Sequence, residues 1–97
     1  MGEVRTAITL GIQGGMWPAA LPDLAAHAES CGYVGAYTEE ANATDAVTIL
    51  AAATRTTSRM RLGTAIIPVF GRAPAVVAME AATMQALSAG RFVLGIG

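Results

Sequence analysis

Short apolar runs and longer stretches of three-and-four spacing take turns along this chain. Residues 5–12 (RTAITLGI) are mostly apolar and β-capable, and they close on Gln13, Gly14 and Gly15, as a strand does on entering a loop. From Leu21 the apolar positions recur as Leu24, Ala25, Ala28 and Cys31, which is one face of a helix, with Asp23, His27 and Ser30 on the other. Gly32 stops that helix, and residues 33–38 (YVGAYT) read as a second strand. Thr44 is placed to cap a second helix, with Asp45 in its first turn and Val47, Leu50, Ala51 and Thr54 as its inward stripe. Residues 61–67 (RLGTAII) form a third strand ended by Pro68, and Pro74 opens a third, alanine-rich helix that runs to about Leu87. Residues 91–96 are a fourth strand.

Strand and helix therefore alternate at roughly thirty residues per unit, the spacing of right-handed βαβ crossovers, so the pattern predicts a parallel α/β sheet. The strands are apolar at nearly every position, which predicts a sheet covered on both faces. An open doubly wound sheet and a (β/α)8 barrel share this pattern, and both place function at the carboxyl ends of the strands. The first loop separates them. A dinucleotide-binding turn needs G-x-G-x-x-G opening directly into a helix, whereas LGIQGGMWPAALPD offers Gly11, Gly14 and Gly15 at other spacings, with Pro18 and Pro22 delaying the helix. The barrel is the better fit.

Composition changes this picture little. Of 97 residues 54% are apolar, enough to bury a core, and seven acidic against six basic residues leave a net charge of −1 with no run of either sign. Nothing here suggests a nucleic acid or a membrane surface as partner. The single cysteine cannot form an internal disulfide and has no metal-ligand spacing around it, which sets a reduced, cytoplasmic location as the default. The longest uncharged stretch, residues 6–22, is too short and too broken by Gly and Pro to span a bilayer.

On a barrel, four segments emerge on one rim: residues 13–17, 39–42, 68–72 and 95–97. Glu39 and Glu40 are adjacent, so on an extended strand only one of them can look into the mouth, and a solvated acidic turn is the plain alternative. Phe70, Gly71 and Arg72 offer a wall and an anion contact for a phosphorylated, ring-bearing ligand. His27 falls on the solvent side of its helix, Cys31 closes a buried stripe, and Met79 and Met84 are helix packing. Met16 and Trp17 suit either rim packing or a lid.

Residues 32–97, with RLGTAI followed by R-x-P, then AMEAATMQALSAGRF and the closing LGIG, resemble the bacterial luciferase-like family, and especially its coenzyme F420-dependent oxidoreductases. The resemblance implies a (β/α)8 TIM barrel, with residues 1–97 as its N-terminal part: four strands and three helices, stopping after the fourth strand. It implies hydride transfer with F420 on a small-molecule substrate or, as the alternative, FMN-dependent monooxygenation. By position it implies a non-prolyl cis peptide at Ala65–Ile66 backing the cofactor ring, Glu40 as the catalytic acid of the rim with Glu39 the less favoured occupant, and Gly95 and Gly97 at the cofactor's side chain and phosphate. Arg72 matches an arginine with a positioning role. A homodimer is expected of the complete protein, and residues 1–97 alone are expected to be inactive. Two other classes stay open: a non-enzymatic, self-associating half-barrel, and a dinucleotide-binding subdomain whose strand order would reverse across the first strand. Tyr37 stands where the family often has Trp, and the segment from Ala41 to Ala43 departs from the family pattern.

Overall fold

A computed structural model describes residues 5–11, 17–41 and 44–97. Gln13 to Met16 and Asn42, which the sequence assigns to the rim, lie outside the described residues. The order is β1 (Ala7–Thr9), α1 (Leu21–Ser30), β2 (Gly35–Thr38), α2 (Ala46–Ala53), β3 (Arg61–Thr64), α3 (Pro74–Leu87) and β4 (Phe92–Val93), with a 3-10 turn at Pro18–Ala20 leading into α1. All three strand pairs are parallel and the strand order is β1-β2-β3-β4. The chain never reverses across the first strand. That is barrel winding, and it excludes the doubly wound reading.

Successive crossovers of one hand put every helix on the same side of the sheet. Ala36, Leu62 and Phe92 sit side by side in the register and face α1 and α2, forming a core with Leu10, Leu21, Ala25, Leu50, Ala53, Met60 and Met84. The other face is bare: Ala7, Thr9 and Arg61 are exposed. Helices lie on one side of this sheet only, and in a (β/α)8 barrel the other face is the one that lines the interior. What the bare face carries instead is the Tyr37 ring. A Cβ on Gly35 would lie 2.8 Å from that ring and one on Gly63 2.5 Å, so the two glycines let the aromatic lie flat across β2 and β3.

The elements follow local chemistry, with some shifts. Asp45, not Thr44, caps α2, its carboxylate accepting from the Val47 amide at 3.2 Å; an aspartate makes that bond in charge-assisted form. The buried stripe of α2 is Ala46, Val47, Ile49, Leu50 and Ala53, while Ala51 is only partly covered. β3 and β4 are shorter than their apolar runs, since β3 breaks after Thr64 and pairs again only at Ile67 with Ile96. Cys31 is exposed rather than buried, because it falls just past the last turn of α1, where its sulfur lies 3.7 Å from His27 Nε2.

At the amino ends of the strands, a buried carboxylate does what no apolar contact could. Glu29 accepts the amides of Ser58 (3.0 Å), Arg59 (2.7 Å) and Met60 (2.7 Å), anchoring the turn before β3 to the end of α1. Burial alone would raise its pKa, but these three amides and the Arg59 charge hold it below the ordinary carboxylate value. The Arg91 guanidinium closes the same turn from β4, bonding Thr57 Oγ1 at 2.9 Å and the Met60 carbonyl at 3.0 Å. Glu29→Ala orphans three backbone donors at once, and in the full-length protein it should lower the unfolding free energy by about 3 kcal/mol, read from urea denaturation midpoints. An unchanged midpoint would show that water replaces the carboxylate at no cost.

Candidate functional site

The carboxyl ends of β2, β3 and β4 meet in an irregular piece of ladder. The Ala65 amide donates to the Thr38 carbonyl at 2.8 Å and the Glu40 amide to the Ile66 carbonyl at 3.1 Å, so Glu39 alone stands opposite the pair Ala65 and Ile66. This is a β-bulge, and the peptide inside it, Ala65–Ile66, is cis. On the β4 side the Thr64 hydroxyl replaces the missing backbone partner, donating to the Gly95 carbonyl and accepting from the Gly95 amide, both at 2.8 Å. That approach is too close for any side chain. A Cβ on Gly95 would sit 2.2 Å from the Thr64 carbonyl oxygen, so glycine is required there by the strand pair itself. Gly97 underlies the Ile66 side chain and exchanges ladder bonds with Ile67 (3.2 Å) and Val69 (2.9 Å).

Alternation along the strands sorts the two glutamates. Ala36 faces the helices and Tyr37 the bare face, so Glu39 follows Tyr37 and Glu40 follows Thr38 toward the helices. The bonds of Glu40 agree. One oxygen accepts the Ala46 amide at the start of α2 at 2.9 Å, and the pair takes a two-pronged bond from Arg72, at 2.7 and 2.8 Å. Arg72 also bonds the Asp45 carboxylate, and its Nε lies 3.0 Å from Glu80 on α3. With 13% of its side chain exposed and three carboxylates around it, this guanidinium is not available as the anion contact that the loop composition suggested. It ties the β3–α3 loop to the start of α2 and to the middle of α3.

The electrostatics follow from that geometry. The Arg72 hydrogen bonds, resisted by burial and helped by the Ala46 amide, pull the Glu40 carboxyl down to about 2. In turn, Glu40 raises the Arg72 pKa against its own burial, with Glu80 and Asp45 adding to the effect. Glu40 is thus ionised and fully engaged at neutral pH. As a proton donor it is poorly placed.

On the bare face, the layer above Tyr37 is made by Gly11, Glu39, Ala65 and Gly95, two residues further along each strand. Three of these four have a methyl or less. Beside that layer the rim is apolar, with Ile66, Val69 and Phe70 exposed and Phe70 the most so, at 91%. The structure therefore brings together Glu39, Ala65, Ile66, Gly95 and Gly97, and sets Glu40 and Arg72 behind them. Among the described residues no group of three or more His, Cys, Asp or Glu is arranged to hold a metal ion. No helix among them is long and apolar enough to cross a membrane. Neither the Thr64 hydroxyl nor Glu80 stood out in the sequence, since Thr64 reads as one more strand residue and Glu80 as solvent face.

A consecutive parallel sheet of four strands with its helices on one side is the winding of a TIM barrel, with small residues in the layer at its carboxyl end, and comparison with known proteins agrees. Residues 4–97 match the family model for luciferase-like monooxygenases. The chain belongs to that family. It is 41% identical over 98 residues to a Mycobacterium tuberculosis protein named as a putative coenzyme F420-dependent oxidoreductase, covering 97% of this chain and 28% of that one. It superposes on the coenzyme F420-dependent tetrahydromethanopterin reductase of Methanopyrus kandleri with a TM-score of 0.87 at 29% identity, covering 99% of this chain and 27% of the other. The FMN-bound oxygenating component of 3,6-diketocamphane monooxygenase from Pseudomonas putida shares the fold, with a TM-score of 0.83 at 20% identity over 98% of this chain and 29% of that one. The chain thus spans between a quarter and a third of the length of each of these proteins.

The clamp makes a pH signature. Because the Glu40 carboxyl titrates at about 2 when folded and near 4.5 when free, acid protonates the unfolded chain first. The stability it contributes is full above about pH 5 and is lost as the pH falls through the folded value. Melting temperatures of the full-length protein should hold steady from neutral down to about pH 5 and then drop, while Glu40→Gln lowers the plateau and makes the drop shallower. Arg72→Met, which strands three carboxylates together, should cost on the order of 3 kcal/mol at pH 7 and less in acid.

Proposed function

We propose that this chain forms the cofactor-ring side of an F420-dependent oxidoreductase, acting on a small-molecule substrate in the cytoplasm by hydride transfer. One observation carries the reading. The strand register places Gly11, Ala65 and Gly95, none larger than a methyl, in the layer that follows Tyr37 at the carboxyl ends of the strands, with Glu39 as the ionisable residue of that layer. A planar tricyclic ring fits such a shelf and a bulky or branched group does not. The fit stops at the ring. Arg72 is spent on its three carboxylates, so the grip on a phosphate belongs to parts of the protein other than these loops.

When bound, the deazaflavin supplies the hydride acceptor or donor. The chain's own part is to hold the ring's back against Ala65, Ile66, Gly95 and Gly97, to exclude water with Ile66, Val69 and Phe70, and to keep a carboxylate at the edge. We assign that last part to Glu39, which can take up or return the proton that accompanies hydride transfer to a substrate. Glu40 acts behind it as a positioning residue, its amide on the bulge and its carboxylate on Arg72 and α2. The FMN reading, in which oxygen is inserted, uses the same shelf. The 41% identity to a protein named for F420 favours the deazaflavin.

Fluorescence titration of the full-length protein with F420 and with FMN tests the reading. F420 should bind in the micromolar range or tighter and FMN more weakly, and Ala65→Leu, which fills the shelf, should weaken F420 binding roughly tenfold or more without lowering the melting temperature. If neither cofactor binds, or if Ala65→Leu binds as well as its parent, the shelf is not the ring site.

A further inference from the structure

We propose that Thr64 is a positioning residue of the ligand layer: its hydroxyl fixes the Gly95 peptide, so that the glycines after β4 meet the face of a ring and not a phosphate. The assignment rests on the ring site proposed above and extends it to a residue that touches no ligand. Thr64 follows Leu62 by two positions on β3, so the two share a phase, and Leu62 belongs to the core under the helices. The Thr64 side chain is buried, and a hydroxyl away from water needs its partners within the protein. It finds both in one residue, donating to the Gly95 carbonyl and accepting from the Gly95 amide at 2.8 Å each. One proton and two lone pairs allow both bonds at once. In a regular parallel ladder the amide and carbonyl of a residue go to backbone groups of the neighbouring strand. Here a single side-chain atom holds both, and the set of the Gly95 peptide depends on it.

That bond decides which part of a ligand these glycines can meet. Backbone amides at a strand end bind an anion by pointing N–H groups at it. The Gly95 amide is held by Thr64, and the Gly97 amide donates to the Ile67 carbonyl at 3.2 Å. Their carbonyls accept from the amides of Ile67 (3.0 Å) and Val69 (2.9 Å). All four peptide groups are engaged inside the sheet, which leaves no donor for the phosphate that the family resemblance implied at Gly95 and Gly97. What the glycines still offer is close approach, and that suits a planar ring. Thr64→Val keeps the shape of the side chain and takes away the acceptor of the Gly95 amide. Water then pairs with that amide, and a ring has to displace it before it can lie against the layer. Thr64→Ser keeps the hydroxyl and both bonds.

The test uses the full-length protein and both variants, with two readouts. Hydrogen exchange of the segment around Gly95, followed by mass spectrometry on the protein alone, should be roughly tenfold or more faster in Thr64→Val and unchanged in Thr64→Ser. Exchange at Ser58, Arg59 and Met60, at the far end of the sheet, should not move in either. Inorganic phosphate should leave exchange around Gly95 unaltered in the parent. Fluorescence titration should show F420 binding weakened roughly tenfold by Thr64→Val and restored by Thr64→Ser. The proposal is overturned if Thr64→Val exchanges or binds F420 as its parent does, if it loosens the distant turn equally, or if phosphate protects the segment. A parent that binds neither F420 nor FMN removes the ring site and this assignment with it, whereas unchanged exchange in Thr64→Val removes the assignment alone.

Discussion

Where β3 carries one residue more than β2 can match, the sheet has to be rebuilt from side chains and glycine. The Thr64 hydroxyl stands in for a peptide group toward Gly95, and Gly95 must lack a side chain so that the Thr64 carbonyl can come near. On the other side the Glu40 amide reaches past the surplus residue to the Ile66 carbonyl. That single mismatch turns the last residues of three strands into a surface of small groups and bare backbone. The Arg72 cluster follows from it, since the Glu40 carboxylate, placed on the helix side by the same alternation, needs a cation.

The cluster has two loyalties. Its carboxylates sit on the β2–α2 loop, at the N-cap of α2 and in the middle of α3, and its cation sits on the β3–α3 loop, so one guanidinium fixes four segments. Two of the carboxylates also bond the first amides of α2, where the helix dipole favours negative charge. Neutralising Arg72 within the cluster removes it from ligand binding, while the loop that it anchors presents Phe70 to solvent at the rim. Rigidity behind and apolar surface in front is a common division of labour at sites that exclude water.

Much of the fold was legible because apolar spacing and Gly or Pro punctuation report on local structure. Pro74 opens α3 and Leu87 ends it as the pattern predicts, and the alternating elements implied a parallel sheet. Misreadings came where tertiary position decides. Cys31 obeys the helical spacing but lies beyond the last turn, and Thr44 is a good cap but Asp45 is a better one. The two glutamates show the limit most clearly. A family resemblance points to an acid at this place, and only the structure shows that the Glu40 carboxylate is taken by Arg72 and the start of α2.

At the opposite end of the sheet, Glu29 and Arg91 spend their charges on main-chain groups rather than on each other. A turn whose amides at Ser58, Arg59 and Met60 and carbonyls at Thr57 and Met60 are claimed by Glu29 and Arg91 cannot lengthen by a residue without releasing several of them. The loops at the rim owe their shape mainly to side chains, which substitution can exchange one at a time. The amino-terminal turn therefore tolerates insertion less well than the loops at the rim.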